Sequence, residues 1–188
     1  LELWRSGDLP GAEKAFRSAM ALDPGGIQSL PARFNLSSIL LGSDRADEAL
    51  QLLDEALVLA PQDADVHYNR GLALHSIARR DQNRDMLVAA LDEYGQALEI
   101  NPNHAKAHCN IGVVLAQMGD SREAIEHYQA AIAADPELAV AYRNLALAFE
   151  ATGDTAQAIT VWNQYAELPG VKPEDAEEAR RRASALAG

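Results

Sequence analysis

The sequence predicts an all-α solenoid of antiparallel helix pairs, and three observations carry that expectation. First, an apolar stretch ending in X-Pro recurs: AMALDP, ALVLAP, ALEINP and AIAADP close on Pro24, Pro61, Pro102 and Pro136. Proline cannot continue a helix and pushes the residue before it out of helical geometry, so each marks a helix end. Second, Pro102 and Pro136 lie 34 residues apart, and small and large residues keep one register between them. Third, the chain has 8 prolines and 5% aromatics in 188 residues and is rich in Ala and Leu. Both are strong helix formers.

Taken in order, residues 1–29 read as a partial repeat, entered near the end of its first helix, with Ala12, Phe16 and Ala19 before Pro24. Residues 30–63 form a full repeat with Leu36-Ser37, Ala49, Leu53 and Ala56. Residues 64–104 form a repeat with a seven-residue insertion between its helices, around Ala78 to Leu87. Seven residues are close to two helical turns, so both helices are expected to lengthen with their apolar faces in phase. A turn near Arg80 to Arg84 would then protrude and offer a second place of contact.

Residues 105–138 and 139–170 are full repeats, each with a Gly-Asp turn at Gly119-Asp120 and Gly153-Asp154. Residues 171–188 read as a capping helix. Pro173 lies near its start, Glu174 and Asp175 lie at the positive end of its dipole, and Arg180 to Arg182 form a solvated face. A solenoid needs such a polar end to stay soluble.

These residues resemble the tetratricopeptide repeat family. In one repeat the pattern reads His108, Ile111-Gly112, Leu115, Ala124, Tyr128, Ala131, Pro136, and copies of it cover nearly the whole chain. The resemblance implies a right-handed superhelix whose concave face is lined by the first helix of each repeat. Small residues at Gly71, Gly112, Ala146 and at Ala49, Ala90, Ala124, Ala158 let paired helices approach. Large ones at Leu53, Tyr94, Tyr128 and Trp162 are expected to fill the space between one repeat and the next.

On the presumed inner face one slot is filled identically in all four full repeats: Asn35, Asn69, Asn110 and Asn144, at spacings of 34, 41 and 34 residues. This is similar to the asparagine ladder of the O-linked N-acetylglucosamine transferase superhelix. There, the resemblance implies, amides hold the backbone of an extended peptide. An amide both donates and accepts, so it can pair with a peptide unit whatever its side chain, although the same asparagines can also bond to a neighbouring repeat. Phe34, Tyr68, Cys109 and Arg143 stand one slot earlier, and Ser38, Leu72, Val113 and Leu147 three slots later. The middle of the groove is thus apolar, as a site for side chains should be. The family's dicarboxylate clamp is not matched, since only Lys106 fits part of it.

The formal charge of −12 disfavours nucleic acid and anionic membranes and would attract a basic peptide. It also serves solubility. No apolar run is long enough to cross a membrane, and a lone cysteine, Cys109, fits a reducing, cytoplasmic setting. The chain opens on Leu1 inside a repeat, which reads as part of a longer protein. His104, His108 and Cys109 are too few to build a zinc site, no motif of catalysis or cofactor binding is present, and no cofactor is expected. The expected role is that of a non-enzymatic scaffold. It would bind a basic or apolar segment through Phe34, Asn35, Tyr68, Asn69, Leu72, Asn110, Val113, Arg143, Asn144 and Leu147. Two alternatives stand beside it. One is a recruiting or regulatory region of a larger enzyme such as a glycosyltransferase. The other is self-association through an N-terminal edge where Leu3, Trp4 and Phe16 lack part of their partner.

Overall fold

The computed structural model describes residues 8–188, in which there are ten α-helices and no strand. Two compact units divide the chain, Leu1–Ile100 and Asn101–Gly188. The first holds α1 (Leu9–Leu22), a short 3-10 turn (Ile27–Ser29), α2 (Leu30–Gly42), α3 (Ala46–Leu59), α4 (Ala64–Asp81) and α5 (Arg84–Ile100). The second holds α6 (Ala105–Met118), α7 (Ser121–Ala134), α8 (Ala139–Thr152), α9 (Thr155–Glu167) and α10 (Pro173–Ala187). Within each unit every helix packs on the next, and α2 touches α4 as α6 touches α8. This is the pattern of an all-α repeat solenoid, in which first helices line up beside one another.

Helices α1, α3, α5 and α7 each end two residues before a proline. The residue between is forced out of helical geometry: Asp23, Ala60 and Asp135 have φ near −140° and positive ψ. Gly119 and Gly153 end α6 and α8 at φ +97° and +80°, a left-handed cap that glycine adopts at no steric cost. The insertion lengthens both helices of its pair. Helices α4 and α5 have 18 and 17 residues, against 13 or 14 in α2, α3 and α6 to α9. The turn between them sits at Gln82 and Asn83, and the Asn83 side chain accepts from the amides of Asp85 and Met86 to start α5. The tip is anchored, because Arg80 forms a two-pronged pair with Asp47 at the start of α3.

The core of the first unit joins Ala12 and Phe16 of α1 to Leu36, Ile39, Leu40, Ala49, Leu52 and Leu53. Phe16 is therefore covered, which corrects the expectation that it lies on an open edge; Leu3 and Trp4 fall outside the described residues. Two of the large residues also pack within their own repeat. The rings of Tyr94 and Tyr128 lie on the glycine of their own repeat: a Cβ built on Gly71 would meet Tyr94 Cε1 at 2.5 Å, and one on Gly112 would meet Tyr128 Cε1 at 2.6 Å. At the C-terminus all three residues of the arginine run are exposed, and two of them also make contacts. Arg182 lies 5.3 Å from the centre of the Trp162 ring and Arg180 donates to the Ala166 carbonyl.

Candidate functional site

The slots singled out in the sequence sit on the first helices of the repeats. Phe34 and Asn35 are on α2, Tyr68, Asn69 and Leu72 on α4, Asn110 and Val113 on α6, and Arg143, Asn144 and Leu147 on α8. All four asparagines are half-buried. Asn35 Nδ2 donates to the Pro31 carbonyl and Asn69 Nδ2 to the Asp65 carbonyl, both at 2.7 Å and both one turn back in the same helix. One N–H of each amide is thus committed to its own helix, and the side chain is held in one orientation. Asn144 reaches across to α6, where its Nδ2 lies 4.0 Å from Cys109 Sγ. Burial pushes the Cys109 thiol up to about 11, so it stays a thiol and packs as a small apolar group.

The first unit turns part of the expected apolar lining inward. Phe34 packs on the core of that unit and on a second buried cluster of Leu30, Ala56 and Val66, and the Tyr68 ring lies 6.0 Å from that of Tyr94. The second unit keeps its lining open. Val113, Ala116, Asn144, Leu147, Ala148 and Ala151 border a depression of about 350 Å³ between α6 and α8. Leu147 also borders a second depression of about 380 Å³ together with Arg143, Trp162, Tyr165, Asp175 and Arg182. Arg182 is engaged with Glu150 and Glu178, each at 3.5 Å. Three residues of the predicted set, Val113, Asn144 and Leu147, therefore meet in one place, and Arg143 adjoins them.

A further slot appears in the sequence only as His108, at the start of the repeat pattern. Arg33, His67, His108 and Tyr142 recur at the same 34, 41 and 34 spacing. Each donates back to the carbonyl of the proline that ends the preceding helix. Arg33 Nη2 reaches the Pro24 oxygen at 2.6 Å, His67 Nε2 the Pro61 oxygen at 3.1 Å, His108 Nε2 the Pro102 oxygen at 3.0 Å, and the Tyr142 hydroxyl the Pro136 oxygen at 3.1 Å. These bonds satisfy a carbonyl that the broken helix leaves unpaired. They also explain the 3% exposure of Arg33, which holds Ser29 and Glu55 as well. The signal in the sequence was a slot of unlike residues that share only a long-reaching donor.

Charged groups fix the first helices from outside. Arg70 on α4 pairs with Asp54 of α3 at 2.7 Å and with Glu93 of α5, whose other oxygen lies 2.9 Å from His67 Nδ1. Arg45 grips Glu48 with two bonds and Glu13 of α1 with two more, and holds both carboxyls below their ordinary values. Among the described residues no group of three or more His, Cys, Asp or Glu is placed to hold a metal, and no helix is long and apolar enough to cross a membrane. His104 and His108 do not converge: His104 Nδ1 accepts from the Ala107 amide, and His108 Nδ1 faces His127.

Comparison with known proteins agrees with the fold. Family models described as tetratricopeptide repeat or TPR repeat match residues 3–71, 87–119, 105–138 and 140–169. An uncharacterized protein, y4yS of Sinorhizobium fredii, is 32% identical over 111 residues, which are 59% of this chain and 56% of that one. The protein O-mannosyl-transferase Tmtc2 of Drosophila melanogaster is 40% identical over 67 residues, or 36% of this chain and 7% of that protein. The chain thus spans about half of the first relative and a small part of the second. Among solved structures, a thermophilic TPR protein of Thermus thermophilus superposes with a TM-score of 0.78 at 22% identity, covering 100% of this chain and 95% of that one. YrrB, described as a TPR protein with an unusual peptide-binding site, gives 0.64 at 20% identity, covering 95% and 87%.

Proposed function

Because this chain belongs to the tetratricopeptide repeat family, we propose that it is a protein-interaction module that holds a peptide segment of a partner against the first helices of its repeats. The observation that carries this reading is the pair of depressions in the Asn101–Gly188 unit that share Leu147. Val113, Leu147, Ala148 and Ala151 would receive an apolar side chain, and Asn110 and Asn144 would pair with the peptide backbone. A depression with an apolar floor and few polar groups at its rim suits a side chain with a fixed backbone path. The description of YrrB supports the reading by analogy of fold. Phe34 and Tyr68 serve the core as much as any ligand, so the weight of the site shifts from α2 and α4 to α6 and α8.

Peptides selected from a random display library on the full chain test it. Each amide hydrogen bond contributes roughly 0.5–1.5 kcal/mol. Replacing both Asn110 and Asn144 by Ala should therefore weaken the selected peptides by about tenfold. Unchanged affinity would remove the groove as the binding site.

The match to an O-mannosyl-transferase favours a second reading, in which the repeats recruit substrate for a catalytic domain elsewhere in the same protein. Sequencing the gene beyond both ends of this chain decides it. A transferase domain in the same frame is the expected result, and a gene with no second domain removes the reading.

A further inference from the structure

Beside its backbone bonds to the His104 carbonyl, the first turn of α6 is fixed by two ring nitrogens that must carry no proton. His104 Nδ1 accepts the Ala107 amide at 3.1 Å and caps the helix. His108 donates through Nε2 to the Pro102 carbonyl, which can only accept. A neutral imidazole carries one N–H, so His108 Nδ1 is then bare and accepts from His127 Nδ1–H on α7 at 3.2 Å. The two rings lie 5.4 Å apart between centres, tilted by 42°. One proton fits between the two Nδ1 atoms, and a second does not. Protonating His108 sets N–H against N–H and places a positive charge beside His127. Protonating His104 at Nδ1 removes the side-chain cap and leaves the Ala107 amide only the His104 carbonyl, at 3.0 Å.

We propose that this three-histidine cluster is a proton-triggered release point, at which acidification frees the first turn of α6 and its contact with α7. The surroundings agree. Burial and then the neighbouring His108 push the His127 imidazolium below its ordinary value of 6.5, with Glu123 and Glu126 of α7 opposing. A histidine depressed in the folded state contributes stability above its unfolded value, and that stability is lost as pH falls through and below 6.5. The equivalent histidine of the other unit behaves differently. Both nitrogens of His67 face acceptors, the Pro61 carbonyl and Glu93, so an added N–H there already has a partner. The arginine-paired Glu13, Asp47, Glu48 and Asp81 are held below their usual values and stay ionised from pH 7.5 to 5.

Two measurements on the full chain test the proposal. The first is the nitrogen chemical shifts of the histidine rings at pH 7.5. Bare Nδ1 atoms in His104 and His108 are expected; an Nδ1–H tautomer in His108 overturns the proposal whatever any variant does. The second is amide hydrogen exchange, corrected for intrinsic rate, at pH 7.5 and 5. Opening of α6 and α7 should increase several-fold on acidification, approaching about tenfold per pH unit below 6.5 for each proton taken up. Helices α4 and α5 should not open more. A variant with His104→Asn, His108→Tyr and His127→Gln keeps a capping side chain, and it keeps a donor to Pro102 like the one Tyr142 supplies to Pro136. It should lose the response. A wild-type chain without the response, or a variant that keeps it, overturns the proposal.

Discussion

Replacing Trp162 by Ala is expected to destabilise the Asn101–Gly188 unit by roughly 3–5 kcal/mol, as for other buried aromatic-to-alanine changes. The indole is 3% exposed and is held on three sides. Its Nε1 donates to Glu150 Oε1 at 2.5 Å, Tyr165 meets it edge-on with ring centres 6.0 Å apart, and Arg182 of α10 covers its face. The substitution therefore does more than leave a cavity. It strips one of two partners from Glu150, leaving Arg182, and removes the surface on which the last helix rests. Urea unfolding of the wild type and the variant measures the loss. Trp162→Tyr is the control, since Tyr94 and Tyr128 fill the same slot in two other repeats. It should recover more than half of the loss, because the ring is kept. A loss below about 1 kcal/mol for the alanine variant would mean that α10 and α9 hold together without the indole.

The readability of this chain follows the range of the interactions involved. Helix ends were legible because Pro24, Pro61, Pro102 and Pro136 act on the residue beside them. The lengthened pair α4 and α5 was legible because seven residues keep an apolar stripe in phase. The asparagine slot was legible as a slot, but its bonding was not. That Asn35 and Asn69 turn one N–H back to their own helix, and that Asn144 turns to Cys109, depends on rotamers no spacing encodes. The bonds from Arg33, His67, His108 and Tyr142 to proline carbonyls were missed for a related reason. The four residues differ in size, charge and hydropathy, and only their shared capacity to donate over a distance unites them. The Phe34 ring was placed in the groove because it neighbours Asn35, yet adjacent residues on a helix point about 100° apart, and the ring turned to the core.

The second large effect concerns the match between two slots of one repeat. Glycine stands opposite tyrosine at Gly71 with Tyr94 and at Gly112 with Tyr128, whereas the same two slots hold Ser37 and Leu53 in the repeat of α2 and α3. A Cβ on Gly112 would lie 2.6 to 2.9 Å from three atoms of the buried Tyr128 ring, closer than carbon atoms pack. Gly112→Ser should therefore cost about 1–3 kcal/mol through overpacking, even after the modest gain in helix propensity over glycine. Tyr128→Leu should cost about 1–3 kcal/mol through lost burial and packing. The pair together recreates the Ser–Leu combination that the chain already uses, so the double variant should be more stable than the sum of the two losses predicts, by about 1–2 kcal/mol. Denaturant unfolding of the four proteins gives that coupling directly. Additive losses would mean that the ring moves aside at little cost, and that glycine at this slot answers to something other than the tyrosine above it.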